Sequence, residues 1–241
     1  MKVLAIESSC DDTSIAVVND DKSVEFLETI NHRKFHKDLG GVIPEMAARQ
    51  HLEILDTLGK SIKKINFSKI SAIAATFGPG LIGGLIVGSS FAKGLSISKN
   101  IKLVPINHLQ AHLLSPRLVS EIKFPYLCLL VSGGNTALVL VKNSKSFITL
   151  GSTIDDSAGE CFDKVAKGLG LGYPGGPEIE HLALGGNIEK FKLPMPLTKK
   201  NNCDFSFSGL KTAALNTIKN NKKTKLFPVS YTHLTLPTMQ V

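Results

Sequence analysis

The sequence predicts an α/β protein of two lobes, with mixed sheets flanked by helices and a cleft between the lobes. Three observations predict it. A strand pair opens the chain, strand and helix patterns then alternate as far as residue 106, and a strand-rich run at residues 126–151 repeats the hairpin-first plan. The lobes are expected at residues 1–107 and 108–228, with residues 229–241 as a tail of different character.

In order, residues 2–8 read as a buried strand and residues 13–18 as its antiparallel partner, joined by the polar turn Ser9-Cys10-Asp11-Asp12. From Pro44 to about Ile65, apolar residues at Met46, Ala47, Leu52, Ile54, Leu55, Leu58 and Ile62 recur at helical spacing. An apolar strand follows at 70–75 and stops at Gly78-Pro79-Gly80. Residues 81–98, rich in small side chains, form a closely packed helix, and 102–106 form another strand. Residues 126–131, 136–141 and 146–151 make a three-stranded meander, and a helix starts within residues 154–164. The Lys-rich segment 219–225 closes a last helix. Beyond it, Thr, Pro and Leu recur with no period, so the stretch from about Val229 reads as non-native sequence or a disordered natural tail.

Composition bounds the function only loosely. A chain of 241 residues with 43% apolar content can bury a real core. Lys and Arg outnumber Asp and Glu by 28 to 20, a formal charge of +8 that suits a polyanion such as RNA and equally suits ordinary solubility. The four cysteines, Cys10, Cys128, Cys161 and Cys203, lie far apart, which indicates neither a disulfide framework nor a zinc ribbon. The opening apolar run ends at Glu7, too short for a signal peptide, and no later run approaches a membrane span. A cytoplasmic protein that does not engage the membrane is expected.

Two motifs carry chemistry. His108-Leu109-Gln110-Ala111-His112 places two imidazoles four residues apart, on one helix face with Cβ atoms roughly 6 Å apart, within reach of one metal ion. Such a pair also arises as an ordinary core or surface pair, and it lacks the adjacent Glu that a zincin protease needs as general base. Val131-Ser132-Gly133-Gly134-Asn135-Thr136 ends an apolar strand in a diglycine turn that exposes backbone N–H groups to an anion.

Around these, Glu7-Ser8-Ser9-Cys10-Asp11-Asp12-Thr13 gathers hydroxyls and carboxylates at a hairpin tip, suited to phosphate with a hydrated cation or simply to a solvated turn. Further glycine breaks at Gly78-Pro79-Gly80 and Tyr173-Pro174-Gly175-Gly176-Pro177 keep backbone clear, as an extended ligand such as a nucleotide requires. Neither a P-loop nor a Rossmann fingerprint is present. In the helix that starts near Asp155-Asp156-Ser157-Ala158-Gly159-Glu160, Asp163 shares a face with Lys167, the spacing of a surface ion pair.

These runs, with Asp204-Phe205-Ser206-Phe207-Ser208-Gly209-Leu210-Lys211-Thr212, resemble in order and spacing the bacterial tRNA N6-adenosine threonylcarbamoyltransferase family, formerly described as O-sialoglycoprotein endopeptidases. The resemblance covers residues 1 to about 225 and implies the two-lobed actin/hexokinase-like superfold. It also implies transfer of threonylcarbamoyl from threonylcarbamoyl-AMP to N6 of adenosine 37 in tRNAs that read codons beginning with A, with release of AMP. Carried over by position, His108 and His112 are ligands of an Fe2+ ion, or of Zn2+. Leu130, Val131, Ser132, Gly133 and Gly134 hold the acyl-adenylate phosphate, and Asp163, Gly176 and Glu180 contact its ribose and adenine side.

The implied partners are tRNA, a shorter paralogue (TsaB) and a small P-loop ATPase (TsaE). Candidates for the tRNA backbone are His32, Arg33, Lys34, His36, Lys37, Lys199, Lys200 and Lys211. The family pattern continues past this chain with an Asn on the adenine side and an Asp at the metal, so the second lobe is expected to be incomplete, metal binding weak and activity doubtful. An ATP-dependent small-molecule kinase of the same superfold, a metalloprotease and a non-catalytic scaffold are the alternatives.

Overall fold

The structure is a computed structural model that describes residues 1–32, 42–63, 65–184, 186–187, 190–198 and 201–221. The chain divides into two compact units, Met1–Glu121 and Ile122–Val241.

In the first unit, β1 (Lys2–Glu7), β2 (Asp12–Asn19) and β3 (Val24–Asn31) form an antiparallel meander. The sequence pattern does not predict the third strand. It alternates Phe26, Glu28 and Ile30, half-buried, with exposed Leu27 and Thr29, so its apolar signal is weak, as suits the edge of a sheet. Helix α1 (Pro44–Ile62) follows, with Pro44 in its first turn, then a short 3-10 turn at Phe67–Lys69 and β4 (Ile70–Gly78). Helix α2 (Ile82–Lys99) leads to β5 (Leu103–Asn107), which runs straight into α3 (His108–Leu114) and α4 (Pro116–Val119).

The strand order is β3-β2-β1-β4-β5, with β1, β4 and β5 mutually parallel. This is a mixed sheet, and the pleat gives it two unlike faces. Leu4, Ile6, Ile15, Val17 and Ile73 point one way and pack on Leu55, Leu58 and Ile62 of α1 and Ala92 of α2. Each fully buried Leu or Ile there contributes about 1.5–3 kcal/mol. Ala47, Leu55, Leu58 and Ile62 of the stripe read from the sequence are buried, joined by Gln50 and His51, whereas Met46 and Leu52 of that reading are exposed. In α2 the buried positions are Gly84, Gly88 and Ala92, small because the helix lies against Ser8 at the end of β1. The opposite face carries Ala5, Glu7, Ser14, Ala16, Ala74 and Thr76.

The second unit holds β6 (Tyr126–Val131), β7 (Thr136–Asn143) and β8 (Ser146–Ser152), then α5 (Ala158–Leu169), α6 (Gly175–Ala183) and α7 (Ser208–Asn221). Among the described residues its sheet is the antiparallel meander read from the sequence, because the short links 132–135 and 144–145 only allow each strand to turn back. The three helices share a core of Val165, Ala166, Ile179, Leu210, Ala214 and Ile218. Helix α3, expected to open the second lobe at residue 108, belongs to the first unit, whose boundary is Glu121. It continues β5 without a break and contacts β4 and β5. No helix among the described residues is long and apolar enough to cross a membrane.

Candidate active site

The histidine pair is built by the end of β5. Asn107 caps α3, its side-chain oxygen accepting the Gln110 N–H at 3.1 Å, so the helix starts at His108 and His112 falls one turn on. The two Nε2 atoms lie 3.1 Å apart, with the rings edge to face at 4.4 Å between centroids. His112 is exposed and His108 half-buried. Burial, then the neighbouring His108 charge, keeps His112 below its ordinary pKa and so neutral in neutral solution, although Glu7 pulls the other way.

Ser9 Oγ lies 3.1 Å from His108 Nδ1 and 3.5 Å from its Nε2, and Glu7 Oε2 lies 3.5 Å from Nδ1. Glu7 also accepts the Ser9 N–H at 2.7 Å and the Thr76 hydroxyl. Burial alone would raise its pKa. Hydrogen bonds from His108, Ser9 and Thr76 outweigh burial and hold the carboxyl at about 2. Glu7, Thr76, His108 and His112 line a cavity of about 310 Å³ together with Ala5, Ala16, Ala74, Ala75 and Ala111.

The Ser8–Thr13 tip does not present its hydroxyls as expected for a phosphate loop. Ser8, Ser9 and Thr13 are buried. Ser8 donates to the Gly84 carbonyl at 2.9 Å, and Thr13 Oγ1 lies 2.9 Å from His32 Nε2 and 2.7 Å from His51 Nδ1. The other His51 nitrogen meets the Cys10 carbonyl at 3.1 Å. His32 is therefore a core residue, 0% exposed, and does not reach an RNA backbone. Arg33, Lys34, His36, Lys37, Lys199 and Lys200 lie outside the described residues, as does the 229–241 tail. Lys211 is half-buried, its Nζ 2.5 Å from Asp156 Oδ2, so it is an internal ion-pair partner.

In the second unit, Leu130 is buried in β6, Val131 is exposed, and Ser132, Gly133 and Gly134 form the turn that leaves the strand. The turn closes on itself through Ser132 N–H to the Asn135 carbonyl at 2.8 Å and Asn135 N–H to Ser132 Oγ at 3.0 Å. It also seats the first turn of α5. Ser157 donates to the Gly133 carbonyl at 2.6 Å, and its Oγ caps the helix by accepting the Glu160 N–H at 3.2 Å. The cap is Ser157, and the acidic residues before it serve elsewhere: Asp155 binds Ser206 and the Phe207 and Ser208 N–H groups, and Asp156 pairs with Lys211 and Lys164. Gly133 and Gly134 stay exposed beside a helix N-terminus, a setting for an anion.

Asp163 lies on α5 and joins α6. Its Oδ1 accepts the Gly175 N–H at 2.7 Å, which holds the next residue, Gly176, alongside it. A Cβ at Gly176 would meet nothing within 4 Å, whereas one at Gly175 would lie 2.6–2.8 Å from Ala166, Phe162 and Asp163. Gly175 is thus the packing glycine and Gly176 the open one. Glu180 follows one turn along, exposed. The structure therefore joins His108 with His112, the diglycine turn with α5, and Asp163 with the start of α6.

Sequence reasoning missed the Glu7–Ser9–Thr76 support of His108. The available signal was Glu7 ending the otherwise apolar Val3–Ile6 run of β1. As a metal site the pair offers two nitrogen donors whose spacing suits one ion. Among the described residues no group of three or more His, Cys, Asp or Glu side chains is arranged to hold a metal.

The chain also matches known proteins. The family described as tRNA N6-adenosine threonylcarbamoyltransferase matches residues 25–234. The protein of that name from Wolbachia pipientis wMel is 51% identical over 223 residues, covering 91% of this chain and 66% of its own length. The one from Rickettsia canadensis (strain McKiel) is 49% identical over 225 residues, covering 92% and 66%. Among solved structures, (R)-2-hydroxyglutaryl-CoA dehydratase component A of Acidaminococcus fermentans is 12% identical, with a TM-score of 0.48 over 92% of this chain and 68% of that one. The chain thus spans just under two thirds of the length of either transferase, 66% in both cases. It belongs to the tRNA N6-adenosine threonylcarbamoyltransferase family.

Proposed function

We propose that the protein of which this chain is part transfers a threonylcarbamoyl group from threonylcarbamoyl-AMP to N6 of adenosine 37 in tRNAs reading codons that begin with A. The observation that carries the reading is the apposed pair of Nε2 atoms, 3.1 Å apart beside an alanine-lined cavity, in a chain half identical to these transferases over about nine-tenths of its length.

His108 and His112 would hold Fe2+, or Zn2+, through Nε2. Such an ion, when bound, polarises a carbonyl or phosphoryl oxygen. The protein's own groups then have separate tasks. The Ser132-Gly133-Gly134 turn, with Leu130 and Val131 leading into it, presents backbone N–H groups for the phosphate of the mixed anhydride. Asp163, Gly176 and Glu180 serve the ribose and base, a carboxylate accepting from hydroxyls and a side-chain-free position admitting a flat ring. The N6 amine attacks the carbamoyl carbon, the carbon–oxygen bond to the phosphate breaks, AMP leaves with that bond's electrons, and the proton lost from N6 passes to solvent. Because AMP is a good leaving group, positioning supplies much of the rate. The cytoplasm, where tRNA is found, is the expected setting, with the shorter paralogue and the P-loop ATPase as partners.

The test uses label in the threonine moiety of threonylcarbamoyl-AMP and a tRNA transcript, with this chain alone and with a hybrid completed by the last third of a relative. Label at position 37 that disappears when adenosine 37 is replaced by guanosine supports the reading. No transfer by either protein, or phosphorylation of a small acceptor from ATP, would overturn it.

A further inference from the structure

We propose that Glu7 is the positioning carboxylate of the histidine pair: it accepts the Nδ1–H of His108, sets that ring's tautomer and so keeps the Nε2 lone pair turned toward His112. This role rests on the reading of His108 and His112 as cation ligands, and it falls to a residue in neither ligand nor substrate set.

The proton inventory of the ring decides which atom can serve a cation. Neutral imidazole carries one N–H, and the hydrogen bond at one nitrogen determines which atom bears it. Around Nδ1 of His108 stand Glu7 Oε2 at 3.5 Å and Ser9 Oγ at 3.1 Å. The carboxylate can only accept, whereas the serine hydroxyl can turn to donate or accept. The negative charge of Glu7, 3.5 Å from Nδ1, therefore favours the proton on that nitrogen, and the nearer Ser9 hydroxyl adapts to it. The proton being there, Nε2 carries the lone pair, and that atom faces His112 Nε2 at 3.1 Å. Carboxylate, imidazole and cation in sequence is a recurrent way of orienting a ligating histidine.

Glu7 is itself held still. The Ser9 N–H fixes Oε1 at 2.7 Å, and the Thr76 hydroxyl donates to Oε2 from the neighbouring parallel strand. A carboxylate on a sheet face lined by Ala5, Ala16 and Ala74 is costly unless its oxygens are paired, and donors from His108, Ser9 and Thr76 converge on this one. Direct ligation is the other conceivable role, but Glu7 approaches the edge of the ring opposite the shared Nε2 atoms.

The experiment is long-range 15N–1H NMR on the histidine-labelled chain without metal, paired with Zn2+ titration against a chromophoric chelator. In the wild type, His108 should show a protonated Nδ1 and an unprotonated Nε2. Glu7→Ala should shift the ring toward the Nε2–H form and weaken Zn2+ about 10–100-fold. Glu7→Gln keeps the side chain's shape and so guards against a folding defect, but with its one oxygen on the Ser9 N–H it turns an NH2 toward Nδ1 and should move the tautomer the same way as Glu7→Ala. An unchanged tautomer and Zn2+ affinity in Glu7→Ala, or loss of both in Ser9→Ala alone, would overturn the role of Glu7. Failure of the wild type to take up Zn2+ would instead overturn the cation reading, while the tautomer still judges Glu7.

Discussion

Gly159, in the first turn of α5, lies so close to Ser132 that a Cβ on it would sit 2.5 Å from the Ser132 carbonyl oxygen and 2.7 Å from the Gly133 Cα. The helix N-terminus and the diglycine turn are therefore one object, assembled by the absence of a single side chain.

Gly159→Ala should push that turn off the helix, since both obstructing atoms are backbone. The expected cost is about 1–3 kcal/mol of stability, the range for an overpacked contact, together with at least roughly tenfold weaker AMP binding, a loss of about 1.4 kcal/mol. Urea melts and AMP titration check this. Unchanged AMP affinity would show that the turn holds no nucleotide phosphate.

Asp155 caps α7 from more than fifty residues away, accepting the Phe207 N–H at 2.8 Å and the Ser208 N–H at 3.2 Å. Asp155→Ala should lower the urea midpoint by the equivalent of about 1 kcal/mol with an unchanged slope. Burial would raise this carboxyl, but bonds from Ser206, Phe207 and Ser208 hold it below its ordinary 3.8. Its stabilisation is thus complete above 3.8 and lost as pH falls through the lower folded-state value. Acid melts of wild type and variant should converge there.

His51 should make the first unit sensitive to mild acid. Burial lowers its pKa, opposed by the Cys10 carbonyl and by the charges of Glu7, Asp11 and Asp12. The unfolded chain takes up a proton near 6.5 while the folded chain resists, so stability declines as pH drops below 6.5. His51→Gln should be less stable at neutral pH and lose much of that decline. Melting followed across this range measures both effects.

Lys211→Met separates an internal ion pair from an RNA contact. With side chains only 17% and 16% exposed, Lys211 and Asp156 form a largely shielded pair. Its loss should cost about 1–2 kcal/mol, between surface and buried pairs. The salt dependence of tRNA binding should stay as in the wild type, whereas a backbone-contacting lysine would reduce the slope by about one.

Much of the fold was legible because its signals are local. The α1 stripe, the apolar strands and the meander follow from periods of 3.6 and 2, and the i,i+4 spacing alone put His108 and His112 on one face. The edge strand β3 escaped because Glu28 and Thr29 dilute its pattern. The buried roles of His32, Thr13 and Lys211 escaped for another reason: a polar side chain looks the same in sequence whether it meets water or a partner.

By itself, then, the sequence determined the elements, the histidine spacing and the diglycine turn, all set by neighbours a few residues apart. Tertiary structure decided what those groups touch. Ser9 reaches His108 across 99 residues and Thr76 reaches Glu7 across 69, pairings made by the parallel register of β1 with β4 and β4 with β5. Burial supplies the reason, because a polar group removed from water must find its partner wherever the sheet brings one, however distant along the chain.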